Sequence, residues 1–217
     1  MERSELLRRY ACERERLRPL AEKDSPAGEY LHPVFGAGAL PSPVMLVGEA
    51  PGAEETRLSR PFSGRAGKHL DGLLAATRIP REALYITNVV KYRPVVRTER
   101  STRNRTPTRE EIAASLPLLL EEIRLVRPKV VVTLGNTPLW AVLALAALPP
   151  ATVGRLHGRP VPLRLAGAER ELFPLYHPAS GIYNRSLLPI MERDTAALGE
   201  HLVKAAEIVL SAPSDML

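Results

Sequence analysis

Short uninterrupted apolar runs alternate along this chain with longer stretches whose apolar positions recur every three or four residues. Residues 44–47 (Val-Met-Leu-Val), 84–87 (Leu-Tyr-Ile-Thr) and 130–134 (Val-Val-Val-Thr-Leu) are of the first kind. Runs of this length, apolar on both faces, predict strands buried on both sides. Residues 160–165 and 171–176 complete the set of expected strands. In the stretch 64–77, Leu70, Leu73, Leu74 and Thr77 share one helical face. Thr108 followed by Glu111 is a capping-box pattern. It opens a helix on which Ile112, Leu116, Leu120 and Ile123 align, and Pro117 is expected to kink that helix. Gly135-Asn136-Thr137-Pro138 starts another helix, and residues 186–210 read as a long final one.

Strands alternating with helices predict an α/β fold, three layers α/β/α around a central, mainly parallel sheet. One domain over residues 1–217 is expected, with 44–210 as the α/β core and 1–43 as a peripheral N-terminal helical segment and loop. Within that segment, residues 2–23 are rich in helix formers, with Leu6, Tyr10, Leu17 and Leu20 as contact positions. Residues 24–43 are dense in Pro and Gly and read as a loop or short hairpin. Residues 48–64 and the arginine-rich 91–107 are expected to be loops. Ligands on such sheets bind at the carboxyl ends of the strands. The loops after Val47, Thr87, Leu134 and Tyr176 are therefore expected to converge.

Composition narrows the function classes. With 217 residues, 45% hydrophobic and 25% charged, the chain has the balance of an ordinary soluble globular protein. No apolar run approaches the ~18 residues of a membrane helix, and the start of the sequence is charged rather than signal-like. The lone cysteine, Cys12, excludes an intramolecular disulfide and any all-cysteine metal site. A cytoplasmic protein is the simplest expectation. The net charge of +6 points to an anionic partner. Most of the basic residues are arginine, which suits bidentate phosphate contacts, although a GC-rich coding bias accounts for that excess equally well.

Four features fall at the expected strand ends. Glu49 sits in a tight Gly/Pro turn after the first strand, where it is either a solvated acid or a carboxylate aimed into the crevice. Phe62, one of three phenylalanines, lies among Pro, Ser and Gly. It is either tucked into the core or a stacking platform worth ~1–3 kcal/mol to an extruded base. Asn88 ends the second strand, as a cap or as a reader of a base edge. His177 precedes a proline, as a packed histidine or as a proton-bearing imidazole. Together they make an aromatic plate, an amide, an imidazole and a carboxylate. A base-flipping enzyme needs that inventory.

The strings VGEAPGAEE, RPFSGRAG, ITNVVKYRP, VVVTLGN and YHPAS, in this order and spacing, closely resemble the iron–sulfur (family-four) branch of the uracil-DNA glycosylase superfamily. The likeness runs from about Val34 to about Leu188. It implies that Phe62 stacks on a flipped uracil, that Asn88 bonds its N3–H and O4, and that His177 bonds O2. Glu49 takes the first acidic position and is the candidate to position water. Glu55 takes the position that crowds out the methyl of thymine, and the backbone around Ala50 touches the base.

The chain also departs from that branch. Its cluster cysteines are replaced: Glu15 follows Cys12, Arg18 precedes Pro19-Leu20, Tyr92 stands in the KYRP string and Ser115 in the helix. Thr56 replaces the usual Asp after Glu55. No iron–sulfur cluster, and no other cofactor or metal, is expected. Arg97, Arg100, Arg103 and Arg105 are expected to contact DNA phosphates, the alternative being a solvated loop. The absence of a histidine there argues against covalent trapping of the sugar. Ile182 or Tyr183 takes the place of the family's wedge. The expectation is a monomeric, monofunctional glycosylase acting on uracil in DNA. The rivals are a non-catalytic reader of damaged DNA and a glycosylase for another deaminated base. A phosphate-loop enzyme is disfavoured, because the Gly48 loop lacks the lysine and glycine spacing.

Overall fold

The apolar runs form the centre of a six-stranded sheet in the computed structural model, which describes residues 2–24, 33–75 and 80–210. The strands are β1 (Ala37–Gly38), β2 (Val44–Gly48), β3 (Tyr85–Asn88), β4 (Val95–Thr98), β5 (Ser101–Asn104), β6 (Val130–Leu134), β7 (Val161–Leu165) and β8 (Ala168–Leu175). The helices are α1 (Glu2–Asp24), α2 (Ala53–Leu58), α3 (Arg65–Ala75), α4 (Arg109–Val126), α5 (Asn136–Leu145), α6 (Val153–Leu156), α7 (Ser180–Tyr183) and α8 (Leu188–Leu210). The sheet order is β1-β3-β2-β6-β8-β7. Its four central strands are parallel, and the edge strands β1 and β7 run antiparallel to their neighbours.

Pleating splits each central strand between two cores. Met45, Val47, Tyr85, Val131 and Leu172 face α1, α4 and α5. Val44, Leu46, Ile86, Val132 and Phe173 face α3 and α8. The fold is thus α/β/α around a mainly parallel sheet. Burying each such aliphatic side chain contributes ~1.5–3 kcal/mol, so runs apolar on both faces hold the two helical layers at once. Helix α1 packs on α4 and sends Leu6 and Tyr10 into the core. The side chains of Leu17 and Leu20, like Thr77 and residues 25–32, lie outside the described residues.

Several elements differ from the expectation. The arginine-rich stretch is largely a hairpin, β4 pairing antiparallel with β5 around a turn at Glu99-Arg100. The β-branched residues Val95, Val96, Thr98 and Thr102 favour strands, a preference obscured by the intervening charges. The loop after β2 contains α2, capped by Glu55, whose Oε2 accepts the Gly52 N–H at 3.1 Å. The final helix begins at Leu188, after a 3₁₀ turn, and β8 begins at Ala168. Helix α4 starts at its capping box: Glu111 N–H donates to Thr108 Oγ1 at 3.3 Å, and Thr108 N–H to Glu111 Oε2 at 2.7 Å. The helix then runs through Pro117 to Val126.

One polar cluster is sealed inside the α1/α4 layer. Glu122 of α4 receives the Tyr10 hydroxyl at 2.5 Å, the Thr87 hydroxyl at 3.1 Å and the Tyr85 hydroxyl at 3.3 Å on Oε1. Lys91 approaches its other oxygen at 2.5 Å. Tyr10 also stacks on Phe35, ring centres 4.1 Å apart. Burial and the facing carboxylate push the Tyr10 phenol far above its ordinary pKa, so it acts as a donor throughout the physiological range. Tyr10→Phe keeps the stack but removes that donor. It is expected to lower stability by ~1–3 kcal/mol, read as a lower denaturation midpoint at unchanged slope.

Candidate active site

The parallel pairing of β2 with β3 ends where Gly48 stands opposite Asn88. A Cβ at Gly48 would meet Phe62 Cζ at 2.6 Å and overlap Asn88 Oδ1. Only glycine therefore lets the amide and the ring close over this strand end. Beyond it, Val89 N–H donates to Gly48 O at 2.9 Å and Val90 N–H to Glu49 O at 3.0 Å. These bonds lock the two loops together. Asn88 is almost fully buried, and it borders the crevice that Phe62 lines.

Phe62 is both core residue and crevice wall. It packs with Leu46 and Leu70 in the α3/α8 layer and also lines the crevice beside Asn88. Its backbone is left-handed, φ 52°, a conformation unfavourable for an aromatic residue. Two neighbours hold it there. Arg81, paired with Asp71, donates from Nη2 to Pro61 O at 3.1 Å and Phe62 O at 3.0 Å. Gly67 of α3 lies so close that any Cβ would run into the Phe62 carbonyl.

His177 follows β8, its ring centre 6.2 Å from that of Phe62 and inclined by 36°. The Ala179 N–H donates to His177 Nδ1 at 3.1 Å. Nδ1 is thereby an acceptor, and the neutral ring carries its proton on Nε2. Burial also pushes the imidazole pKa below its usual value. Glu49 is held differently: the Thr137 hydroxyl donates to its Oε2 at 2.5 Å. Thr137 lies in the first turn of α5, where the helix dipole favours a carboxylate.

These groups border two adjoining crevices of about 320 and 570 Å³. The smaller holds Phe62, Asn88 and Glu55, with Ile182 at its edge. The larger holds Glu49, Gly135 and Thr137. Ala50, Asn104, His177, Ala179 and Tyr183 lie between, lining both. Glu55 ties the crevice loop together, accepting Gly52 N–H and, at 3.4 Å, Gly64 N–H. Thr56 is buried, its hydroxyl bonded to Gly52 O at 2.9 Å. It therefore serves the loop and does not line either crevice.

The hairpin arginines divide. Arg100 sits in the turn and Arg103 on β5, both exposed. Arg97 pairs in register with Thr102, its side chain lying outside the described residues. Arg105 is committed to the fold: its guanidinium meets both oxygens of Glu111 at 2.7 Å. Tyr183 is 88% exposed at the crevice mouth. Three contributors escape a reading of the sequence. Asn104 is oriented by Arg93, whose Nε donates to Oδ1 at 2.7 Å. Arg65 lines the smaller crevice, and Thr137 anchors Glu49. Only the capping character of the Asn-Thr-Pro string signalled any of them.

The residues at the cluster positions do not fit an iron–sulfur group, which thiolates hold. Cys12 is exposed, whereas Tyr92 is buried beneath α4. The Ser115 hydroxyl is turned onto Glu111 O at 2.8 Å. Among the described residues, no group of three or more His, Cys, Asp or Glu is placed to hold a metal ion. None of the described helices is long and apolar enough to cross a membrane.

The sequence model described as the uracil DNA glycosylase superfamily matches residues 35–201. The type-4 uracil-DNA glycosylase of Pyrobaculum aerophilum is 37% identical over 163 residues, covering 75% of this chain and 80% of that protein. That of Thermotoga maritima is 40% identical over 153 residues, covering 70% and 73%. That of Archaeoglobus fulgidus is 35% identical over 167 residues, covering 77% and 80%. With the matched region spanning the sheet and both crevices, the chain belongs to the uracil DNA glycosylase superfamily.

Proposed function

We propose that the protein hydrolyses the N-glycosidic bond of deoxyuridine in DNA, releasing uracil and leaving an abasic site. The observation that carries this reading is the neutral His177 donor beside the Asn88 amide and the Phe62 ring, all on one crevice. A uracil turned out of the helix stacks on Phe62. The Asn88 carbonyl accepts its N3–H and the amide nitrogen donates to O4, a pattern that cytosine reverses. As the C1′–N1 bond breaks, its electron pair passes to N1 and spreads to O2. The His177 Nε2–H meets charge there without having to lose a proton first. Glu49, on the opposite side of His177, orients the water that adds to C1′ and offsets positive charge on the sugar.

Ala50 and Glu55 shape the base-binding loop, and the exposed Tyr183, with Ile182, fills the gap left in the helix. Arg100 and Arg103, with Arg97, contact phosphates, while Arg105 supports them through Glu111. The chemistry uses side chains alone, with no cluster or metal. A lone cysteine and side-chain catalysis suit the cytoplasm. The large exposed apolar side chains sit on different elements, which suits a monomer.

His177→Ala is expected to slow single-turnover excision ~100–1,000-fold. Asn88→Ala loses ~1–3 kcal/mol of the chemical step, DNA affinity being little changed in either. Parent-rate excision by both variants would favour a reader of damaged DNA or an enzyme for another base. Because burial depresses the His177 pKa, protonation sets in only below the ordinary value of about 6.5. The kcat/KM profile is therefore expected to stay flat through neutrality and fall on the acid side of that value.

Replacing Arg100 and Arg103 with Ala is expected to weaken binding to all DNA sequences alike. The log–log salt dependence should flatten by roughly 0.7–0.9 per lost contact; an unchanged slope removes them from the interface. Anaerobically purified protein is expected to be colourless and free of stoichiometric iron, checked by its visible spectrum and metal analysis.

A further inference from the structure

The buried Lys91–Glu122 pair lies directly behind the base-reading amide, and stability alone does not account for it. Both side chains are 0% exposed. Taking an ammonium and a carboxylate out of water is costly, and well-packed apolar residues of similar volume often serve stability as well or better. Burial pulls the Lys91 pKa down, opposed by Glu122. The contacts of Nζ show another use. It donates to Glu122 Oε2 at 2.5 Å, to Thr87 Oγ1 at 2.7 Å and to the backbone carbonyl of Asn88.

That carbonyl is in an unusual position. The next two backbone N–H groups are fastened to the Gly48 and Glu49 carbonyls. The Asn88 carbonyl lies at the close of the β2–β3 ladder, inside the protein, and requires a donor. Lys91 provides one, and α4 holds Lys91 through Glu122. We infer that Lys91, anchored by Glu122 and Thr87, is a positioning residue: its grip on the Asn88 carbonyl sets the orientation of the amide that reads uracil. A protonated or a neutral amine can make this bond, so the device depends on a donor and not on charge. The inference rests on the role of Asn88 proposed above.

The test compares two variants that both lack the ion pair. Glu122→Gln keeps volume and leaves the Lys91 amine to reach Asn88. It is expected to excise no more than about tenfold more slowly than the parent. Adding Lys91→Met removes only the donor. The double variant is expected to lose a further ~100-fold in single-turnover rate, as small misplacements of a reacting group do. Its half-saturating DNA concentration should be unchanged, and inhibition by added free uracil should weaken in parallel. A folded double variant that matches Glu122→Gln in rate and uracil inhibition overturns the inference. Should the double variant not fold, Thr87→Val is the second probe. It removes a hydroxyl bonded to both partners and keeps the shape. It is expected to be about tenfold slower at unchanged DNA affinity, and a parent rate there overturns the inference equally. The parent is assayed first: no excision of uracil by the parent defeats the proposed function itself, whereas an active parent with unaffected variants defeats only the positioning role.

Discussion

A carboxylate and an amine closed off from water must find every hydrogen-bond partner within the protein, and the carboxyl end of β3 is built around that requirement. Glu122 comes from α4, Lys91 from the turn after β3, Thr87 from the strand itself and Tyr10 from the first helix. Three segments distant in sequence, α1, β3 with its following turn, and α4, are thereby fixed to one another by directional bonds, where apolar packing alone would let them slide. The carboxyl ends of the parallel strands are where ligands meet such a sheet. Rigidity is thus concentrated just beneath the surface proposed to recognise a base.

Much of this was legible in the sequence. The apolar runs at 44–47, 84–87 and 130–134 could only be strands buried on both faces, and Thr108 with Glu111 marked a helix start that the structure reproduces. The four features at strand ends, Glu49, Phe62, Asn88 and His177, do gather around adjoining crevices. The misses share a physical cause. Periodicity reports burial only through apolar side chains, so nothing in the pattern marks Lys91 or Glu122 as buried, although both are sealed inside. The hairpin of β4 and β5 was hidden because its β-branched residues are interleaved with arginines. Arg105 was read by charge alone. Its partner Glu111 lies six residues away across a turn, where no spacing rule joins them.

At the positions where the family resemblance implies cysteines, the described side chains are built into the fold. Tyr92 fills volume there, and Ser115, Glu111 and Arg105 form a chain of hydrogen bonds from α4 back to the hairpin. That chain fastens β5, and with it Asn104, to a helix that is itself anchored at its N-terminus by the same Glu111. A carboxylate accepting from two guanidinium nitrogens and a backbone N–H gives a directional, charge-assisted junction. Here side chains connect the hairpin to the α/β core.

Phe62 occupies a backbone state that costs a residue with a side chain about 1–3 kcal/mol. It persists because Arg81 and Gly67 leave its peptide no alternative. That energy is drawn from the stability of the fold and not from the encounter with DNA. In the proposed function the ring therefore stands in place before any base arrives. With the stacking role proposed for Phe62, stability and recognition are opposed at this residue. A chain hardened against heat by relaxing this one turn would become a sturdier protein with a blunted grasp of its substrate.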